Sequence, residues 1–316
     1  MNKNMAVLEP LRGDFFCLPF GEDNSWNGEF HPLHGETSGD IWSLVPENTN
    51  GQITLKMETS ARKGSILKKI QLKDGENNLY ISHDITGFVG PAPLGHHVIF
   101  PGGTYKYIST SPIRFGYTNS NRDDYYGAGI YHSLASFRRF ENLEKVPTVW
   151  KEKNFVDCTV FPAREGFEDV VQVYNRTKSA FAWTAVSVPE ERYLWFALKD
   201  PEILPSTVLW MENKGEHQPP WNGRNCCLGV EDICSYFTEG LSASAEKNFL
   251  NNEGIKTYHQ LKEDTPLSVK YIQGVVRIPV GFDRVENIVE KNDGVEITSF
   301  SGNAVFTKVD SEFLAL

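Results

Sequence analysis

The stretch "GQITLKMETSARKGSILKKIQLKDGENNLYISHDITG", Gly51 to Gly87, decides the fold. Within it "ITLKMET" (53–59) and "ILKKIQL" (66–72) alternate apolar with polar residues, the period of a strand with one buried face. The Asp74-Gly75 pair in "DGEN" is a hairpin-turn signal, and "NLYISHDIT" carries the chain straight into another strand pattern. These segments predict a β-meander.

The same texture extends outward in both directions. "TVFPA", "DVVQVYN", "AFAWTAVSV" and "STVLWMEN" fill the middle of the chain; "LSVKYIQGVVRIPV", "GVEITSF" and "NAVFTKV" fill its last third. Helical periodicity is scarce, and "YYGAGIYHSLASFRRFENLEKV" (Tyr125 to Val146) is the segment expected to carry a short helix. Many strands without βα alternation predict antiparallel sheets packed face to face. No low-complexity linker and no fixed-period repeat divides the chain. The expectation is one all-β domain over residues 1–316, a large antiparallel two-sheet β-sandwich.

Composition narrows the function classes. The 40% apolar fraction suffices for a large core, and 26 glycines with 17 prolines, scattered, read as turns rather than disorder. Against 31 basic residues stand 41 acidic ones, a net charge of -10. Such a surface repels phosphate backbones, so no nucleic-acid partner is expected. Five cysteines, an odd number without regular spacing, argue against a disulfide framework, and Cys226, Cys227 and Cys234 read as small apolar residues rather than a zinc site. "MNKNMAVLEP" holds no signal-peptide apolar region, and no long apolar run spans a membrane. A cytoplasmic protein is expected. Oligomeric state is not legible.

Four segments carry the candidate chemistry. "HPLHGETSGDIW" (His31 to Trp42) sets His31 and His34 three apart, with Pro32 opposing the helix that would bring them to one side. They are therefore poor co-ligands of one metal; one faces a ligand and the other is packed or solvated. "LRGDFFCLPFG" (Leu11 to Gly21) places Arg12 before an apolar run. "GPAPLGHHVIFPGG" (Gly90 to Gly103) carries His96 and His97, of which alternation lets only one face a cleft. "WNGRNCCLGVEDICSYF" (Trp221 to Phe237) sets Glu231 directly after an apolar segment, at what reads as a strand end. A carboxylate there is unusual, because burying an unpaired charge is costly.

Together these segments resemble the aldose 1-epimerase (galactose mutarotase) superfamily, a divergent branch of it. "HPLHGETSGDIW" is similar to that family's "PLHG…W" segment, which puts His34 in a sugar-contacting role. "HVIF" resembles its H-x-x-F strand at His97, with His96 where an Asn is usual. "LRGDFFCLPFG" resembles the sugar-binding R-G segment at Arg12. "CLGVED", followed by "LSVKYIQGVVRI", resembles the stretch of the family's general base at Glu231. The likeness runs from Leu11 to Pro279. The strands usual ahead of the arginine are missing, and the residues from about 280 form a C-terminal extension. Asp200 in "ALKDPEILP" is the candidate for the family's further sugar-binding aspartate.

The resemblance implies a large two-sheet sandwich and an isomerase that interconverts sugar anomers without metal or organic cofactor. Ring opening needs one group to protonate the ring oxygen and another to take the anomeric proton. An imidazole, with an unperturbed pKa of ~6.5, suits the acid, and a partly buried carboxylate suits the base. The expected assignment is Glu231 as base, His97 as acid, His34 and His96 beside the sugar, and Arg12 on a hydroxyl. Tyr193, Trp195 and Trp221 are candidates for packing on the sugar face, although alternating aromatics such as Trp183 and Trp195 also suit a sandwich core. Two alternatives stay open: a non-catalytic carbohydrate-binding protein, and a sugar 6-phosphate 1-epimerase using Arg224 and Arg122. A weaker third is a metal site of His34, His97 and Glu231. The expected partner is a monosaccharide or modified sugar.

Overall fold

The computed structural model describes residues 7–8, 11–46, 49–119, 129–176 and 180–315. Two antiparallel sheets dominate. The first has seven strands in the order Gly13–Cys17, Leu94–Pro101, Cys226–Cys234, Ser206–Asn213, Phe167–Asn175, Ile113–Thr118 and Arg139–Phe140. The second has nine, with Ala182–Val188, Tyr193–Lys199, Leu267–Arg277 and Asn78–Thr86 at its centre. The Gly51–Gly87 stretch forms the meander its alternation predicts: Gln52–Thr59 pairs with Gly64–Gln71, which pairs with Asn78–Thr86. Gly75 takes the positive φ of 77° that the turn there requires. The fold class is the all-β sandwich expected.

Apolar side chains of both sheets meet between them. Phe16, Val98, Leu209 and Val230 from the seven-stranded sheet pack on Ile66, Ile81, Val186 and Val269 from the nine-stranded one. The other face of the nine-stranded sheet is apolar too, with Tyr80, Trp183, Leu194, Phe196 and Ile272. It is covered by the C-terminal residues: Val285–Lys291, Gly294–Ser299 and Ala304–Lys308 form a three-stranded sheet whose Val285, Ile288, Val295 and Ile297 are buried there. At roughly 1.5–3 kcal/mol per buried aliphatic side chain, stripping this layer away is strongly unfavourable.

The remaining face of the seven-stranded sheet lies under loops and holds the cavity described below. Both faces of this sheet are thus covered, and its Cys226–Cys234 strand is buried along almost its whole length.

Two expectations are corrected. No helix forms in residues 129–146, while residues 125–128 of that segment lie outside those described. Phe140, Leu143 and Val146 are instead drawn into the inter-sheet core, and Phe140 pairs with Gly116 at the sheet edge. Tertiary pairing outweighs local propensity there. Glu231, for its part, is not at a strand end but in the interior of Cys226–Cys234.

Candidate functional site

The site is assembled by strand register. Leu94–Pro101 is flanked by Gly13–Cys17 on one side and Cys226–Cys234 on the other, and Phe15, His97 and Glu231 are directly opposite one another across the three strands. Directly paired residues share a face, so all three side chains project to the loop-covered side. The next strands add Trp210 and Val170, then Glu212 opposite Glu168. A cavity of about 490 Å³ opens above this row, lined by His34, His97, Glu168, Trp210, Trp221 and Glu231 among others.

His97 Nε2 and Glu231 Oε1 approach to 3.4 Å. The two residues are 3% and 2% exposed, and neither His97 Nδ1 nor Glu231 Oε2 has a hydrogen-bond partner. Such atoms are costly to bury unless something else meets them. Burial, then the neighbouring His34, pushes the His97 pKa well below that of free imidazole. Burial, reinforced by the Glu22 and Glu168 charges, pushes the Glu231 carboxyl well above the usual carboxylate range. Both shifts favour the uncharged forms, a neutral imidazole beside a protonated carboxyl. The His97 ring stacks on Phe15 at 4.6 Å and meets His34 edge-on at 5.2 Å. Gly229 leaves the space for them. A Cβ there would sit 3.0 Å from Glu231 Oε1 and 3.1 Å from His97 Cε1.

His34 reaches the cavity from a loop rather than a strand. It has φ 57°, and Gly35 follows at φ 78° so close to Leu18 that a Cβ would come within 2.1 Å of its carbonyl oxygen. The loop is anchored beyond them by Glu36, whose carboxylate accepts from Ser60 N at 3.0 Å and Ala61 N at 3.2 Å, and by Trp42 Nε1 donating to the Thr37 carbonyl at 3.2 Å. The Gly21 amide donates to His34 Nδ1 at 3.4 Å. Burial lowers the His34 pKa to about 4, so the ring is neutral at neutral pH and carries its proton on Nε2. His31 lines the cavity as well, its Nε2 3.2 Å from Glu29 Oε2.

Of the residues singled out from sequence, His31, His34, His97, Trp221 and Glu231 meet at this cavity, so both His31 and His34 line it where only one was expected to. The others do not. His96, one residue from His97, faces the inter-sheet core by strand alternation, where it stacks on Tyr271 at 4.1 Å and its Nδ1 lies 2.9 Å from Asp14. Trp195 is also in that core, donating to Gln273 Oε1 at 3.1 Å; Gln273 Nε2 donates to Asp14 at 2.7 Å. Arg12, just ahead of the edge strand, and Arg224, in the turn after Trp221, are exposed and line no part of the cavity. Asp200 caps a turn by accepting from Glu202 N at 2.8 Å and is not a lining residue either. Arg122 lies outside the described residues. Among the described residues no group of His, Cys, Asp or Glu is placed to hold a metal ion, so His34, His97 and Glu231 form no such set. No helix among them is long and apolar enough to cross a membrane.

Trp210 and Glu168 are among the lining residues that escaped the sequence reading. Trp210 Nε1 donates to Glu168 Oε1 at 2.8 Å, and its ring lies 6.1 Å from that of Trp221. Behind them Glu212 is fully buried, with Oε1 accepting from Gly215 N at 3.1 Å. Burial, then the charge of Glu168, raises its pKa to about 7. The signal for Glu168 was the one that marked Glu231, a carboxylate inside an apolar strand. It is ambiguous: Asp169 and Asp232 share it and serve structure. Asp169 accepts from Ser133 N at 2.8 Å and Arg164 Nε at 2.7 Å. Asp232 accepts from Lys199 Nζ at 2.5 Å in the fully buried inter-sheet core.

No family model matches the chain, and no curated protein matches it by sequence. Solved structures do match its fold. A candidate aldose 1-epimerase from Escherichia coli K12 superposes with a TM-score of 0.55 at 14% identity, covering 84% of each chain. A galactose mutarotase related enzyme from Lactobacillus acidophilus gives 0.52 at 10% identity, over 84% of this chain and 85% of that one. A galactose mutarotase-like protein from Lactobacillus casei ATCC 334 gives 0.52 at 12% identity, over 83% and 85%. At such identities the likeness is one of fold: the chain is an all-β galactose mutarotase-like sandwich.

Proposed function

We propose that the cavity binds a monosaccharide and interconverts its anomers by acid/base ring opening. The observation that carries this reading is the His97–Glu231 pair, 3.4 Å apart on adjacent strands and facing one cavity. The two oxygens that exchange protons in the reaction are bonded to the same anomeric carbon. A contiguous acid–base pair can therefore serve both at once.

Because both shifts favour the uncharged forms, this reading takes the starting roles the other way round from those expected from sequence. Glu231, protonated, gives its proton to the ring oxygen as the C1–O bond breaks and that bond's electron pair goes to the oxygen. His97, neutral, takes the proton of the anomeric hydroxyl, and C1 becomes a carbonyl. The transfer leaves a carboxylate beside an imidazolium, a pair whose charges compensate in the low-dielectric cavity. After rotation about the C1–C2 bond each group reverses its part and closes the ring to the other anomer. His34 Nε2–H is a hydrogen-bond donor for a sugar oxygen, and Trp210 and Trp221 supply rings for a C–H face.

The direct test measures anomer exchange by NMR over an aldose panel, after subtraction of the spontaneous rate. Glu231→Gln and His97→Asn should each lower the catalysed rate by about 10²–10⁴-fold with circular dichroism unchanged. Wild-type protein that binds a sugar yet leaves the spontaneous rate unaltered would place it with carbohydrate-binding proteins instead.

A further inference from the structure

A third imidazole stands in the cavity wall, and its hydrogen bonding is set from behind. The hairpin of Ser25–Trp26 and Glu29–Phe30 turns through Asn27 and Gly28, at φ 47° and 87°, and delivers the next residue, His31, to the lining. His31 Nε2 lies 3.2 Å from Glu29 Oε2. The same oxygen accepts from Arg62 Nε at 2.9 Å and lies 2.7 Å from its Nη2, while Nη1 donates to the Pro91 carbonyl at 2.6 Å. Arg62 is 8% exposed and comes from the turn between the Gln52–Thr59 and Gly64–Gln71 strands. A guanidinium so buried needs such partners, and through Glu29 it also fixes the imidazole.

These contacts choose the tautomer. Burial works to raise the Glu29 pKa, but the hydrogen bonds from Arg62 and His31 hold it below the usual carboxylate value, so Glu29 only accepts. The ring nitrogen that faces it is therefore the N–H. Burial, opposed by Glu29, lowers the His31 pKa and favours the neutral ring, whose bare nitrogen is then Nδ1. Among the described residues Nδ1 has no hydrogen-bond partner, yet it is not sealed from solvent. An acceptor is left open in a ring that lines the cavity. His34 is the converse: its Nδ1 takes the Gly21 N–H and its Nε2–H is left over. From this we infer that His31 is a substrate-binding residue whose Nδ1 accepts a hydrogen bond from one sugar hydroxyl other than the anomeric one, which the reaction gives to His97. A site built to bond a hydroxyl rejects the analogue that lacks it, because its own polar atom is then left unpaired.

The inference rests on the proposed sugar site, and the experiment separates the two. Anomer exchange is measured for glucose, galactose and mannose and for their monodeoxy analogues, each lacking one exocyclic hydroxyl. For one position the wild-type protein should favour the parent over the analogue by about ten-fold in kcat/KM. His31→Gln keeps an amide that reaches Glu29, as many bonds from Cβ as ring Nε2, but has nothing at Nδ1; it should bring that ratio to within about two-fold of unity. His31→Asn places its amide oxygen as many bonds from Cβ as Nδ1 and should keep more of the ratio than the Gln variant. A His31→Gln protein with every ratio as in wild type, whether or not its overall rate falls, would overturn the inference and leave the anomerase reading intact. If no sugar is turned over, that reading fails, and calorimetric affinities of the same series replace the rates: the same pattern supports the inference, and equal affinities or no binding overturn it. Should the variants not fold, a wild-type crystal soaked with the parent sugar decides, by whether a hydroxyl meets His31 Nδ1.

Discussion

Substituting Gly229 by alanine adds one carbon to the floor of the cavity. That Cβ would sit 3.0 Å from Glu231 Oε1, 3.1 Å from His97 Cε1 and 3.1 Å from Trp210 Cβ, where ordinary contact begins near 3.4 Å. Relief requires these groups to retreat by about 0.3–0.4 Å, and His97 has little room, stacked on Phe15 at 4.6 Å with His34 on its other flank. Overpacking of this kind costs about 1–3 kcal/mol, while losing a strand glycine returns about 0.5–1 kcal/mol of backbone entropy. The net is a loss of roughly 0–2.5 kcal/mol. The effect on catalysis is larger in proportion. If a misplacement of ~1 Å costs about 10²-fold, a third of that distance costs about three- to ten-fold in kcat. The assay is anomer exchange under saturating sugar, beside thermal unfolding of both proteins. A Gly229→Ala protein with unchanged melting temperature and kcat within about two-fold of wild type would refute the packing argument, since it rests on the Cβ distances alone.

Other perturbations have equally definite outcomes. On acidification the exchange rate should fall only below pH 6.5, because burial lowers the pKa of His97; an acid-side half-loss centred on 6.5 or above would contradict that direction. Glu212→Gln tests linkage: the folded-state pKa is raised from 4.5 to about 7, so folding is penalised increasingly as pH rises through that interval and fully above it. The variant should match wild type in urea stability below pH 4.5 and exceed it by at most about 3 kcal/mol above pH 7, and an unchanged gap would count against the raised pKa. Lys199→Met should cost about 3–5 kcal/mol in urea titrations at neutral pH, because it strands the Asp232 carboxylate. Burial would raise that group, yet Lys199, Thr207 and Tyr271 hold it lowered. A loss below about 1 kcal/mol would show that the pair is not needed, whereas the apolar double replacement of Lys199 and Asp232 should cost less than the single one.

What the amino-acid sequence determined by itself was everything that depends on alternation. Period-two patterns and Gly-containing turns marked the strands of both sheets, and "STVLWMEN" coincides with its strand, Ser206–Asn213. The His34, His97, Trp221 and Glu231 positions were legible because histidines and a carboxylate stand out in apolar or turn-rich surroundings. Alternation also says that His96 and His97, like Glu231 and Asp232, must face opposite ways. It does not say which way. In a sheet with one wet face the polar neighbour would be the outward one, but here both faces are covered, so polarity no longer labels the side. Only the packing of the nine-stranded sheet on one face and of loops on the other sends His96 to Tyr271 and His97 to the cavity. Pairing register made the rest: Phe15, His97 and Glu231 come from segments far apart in the chain, and Glu168 meets Trp210 across two strands. Such contacts follow from long-range hydrogen-bond register, a property of the folded sheet that no local pattern encodes.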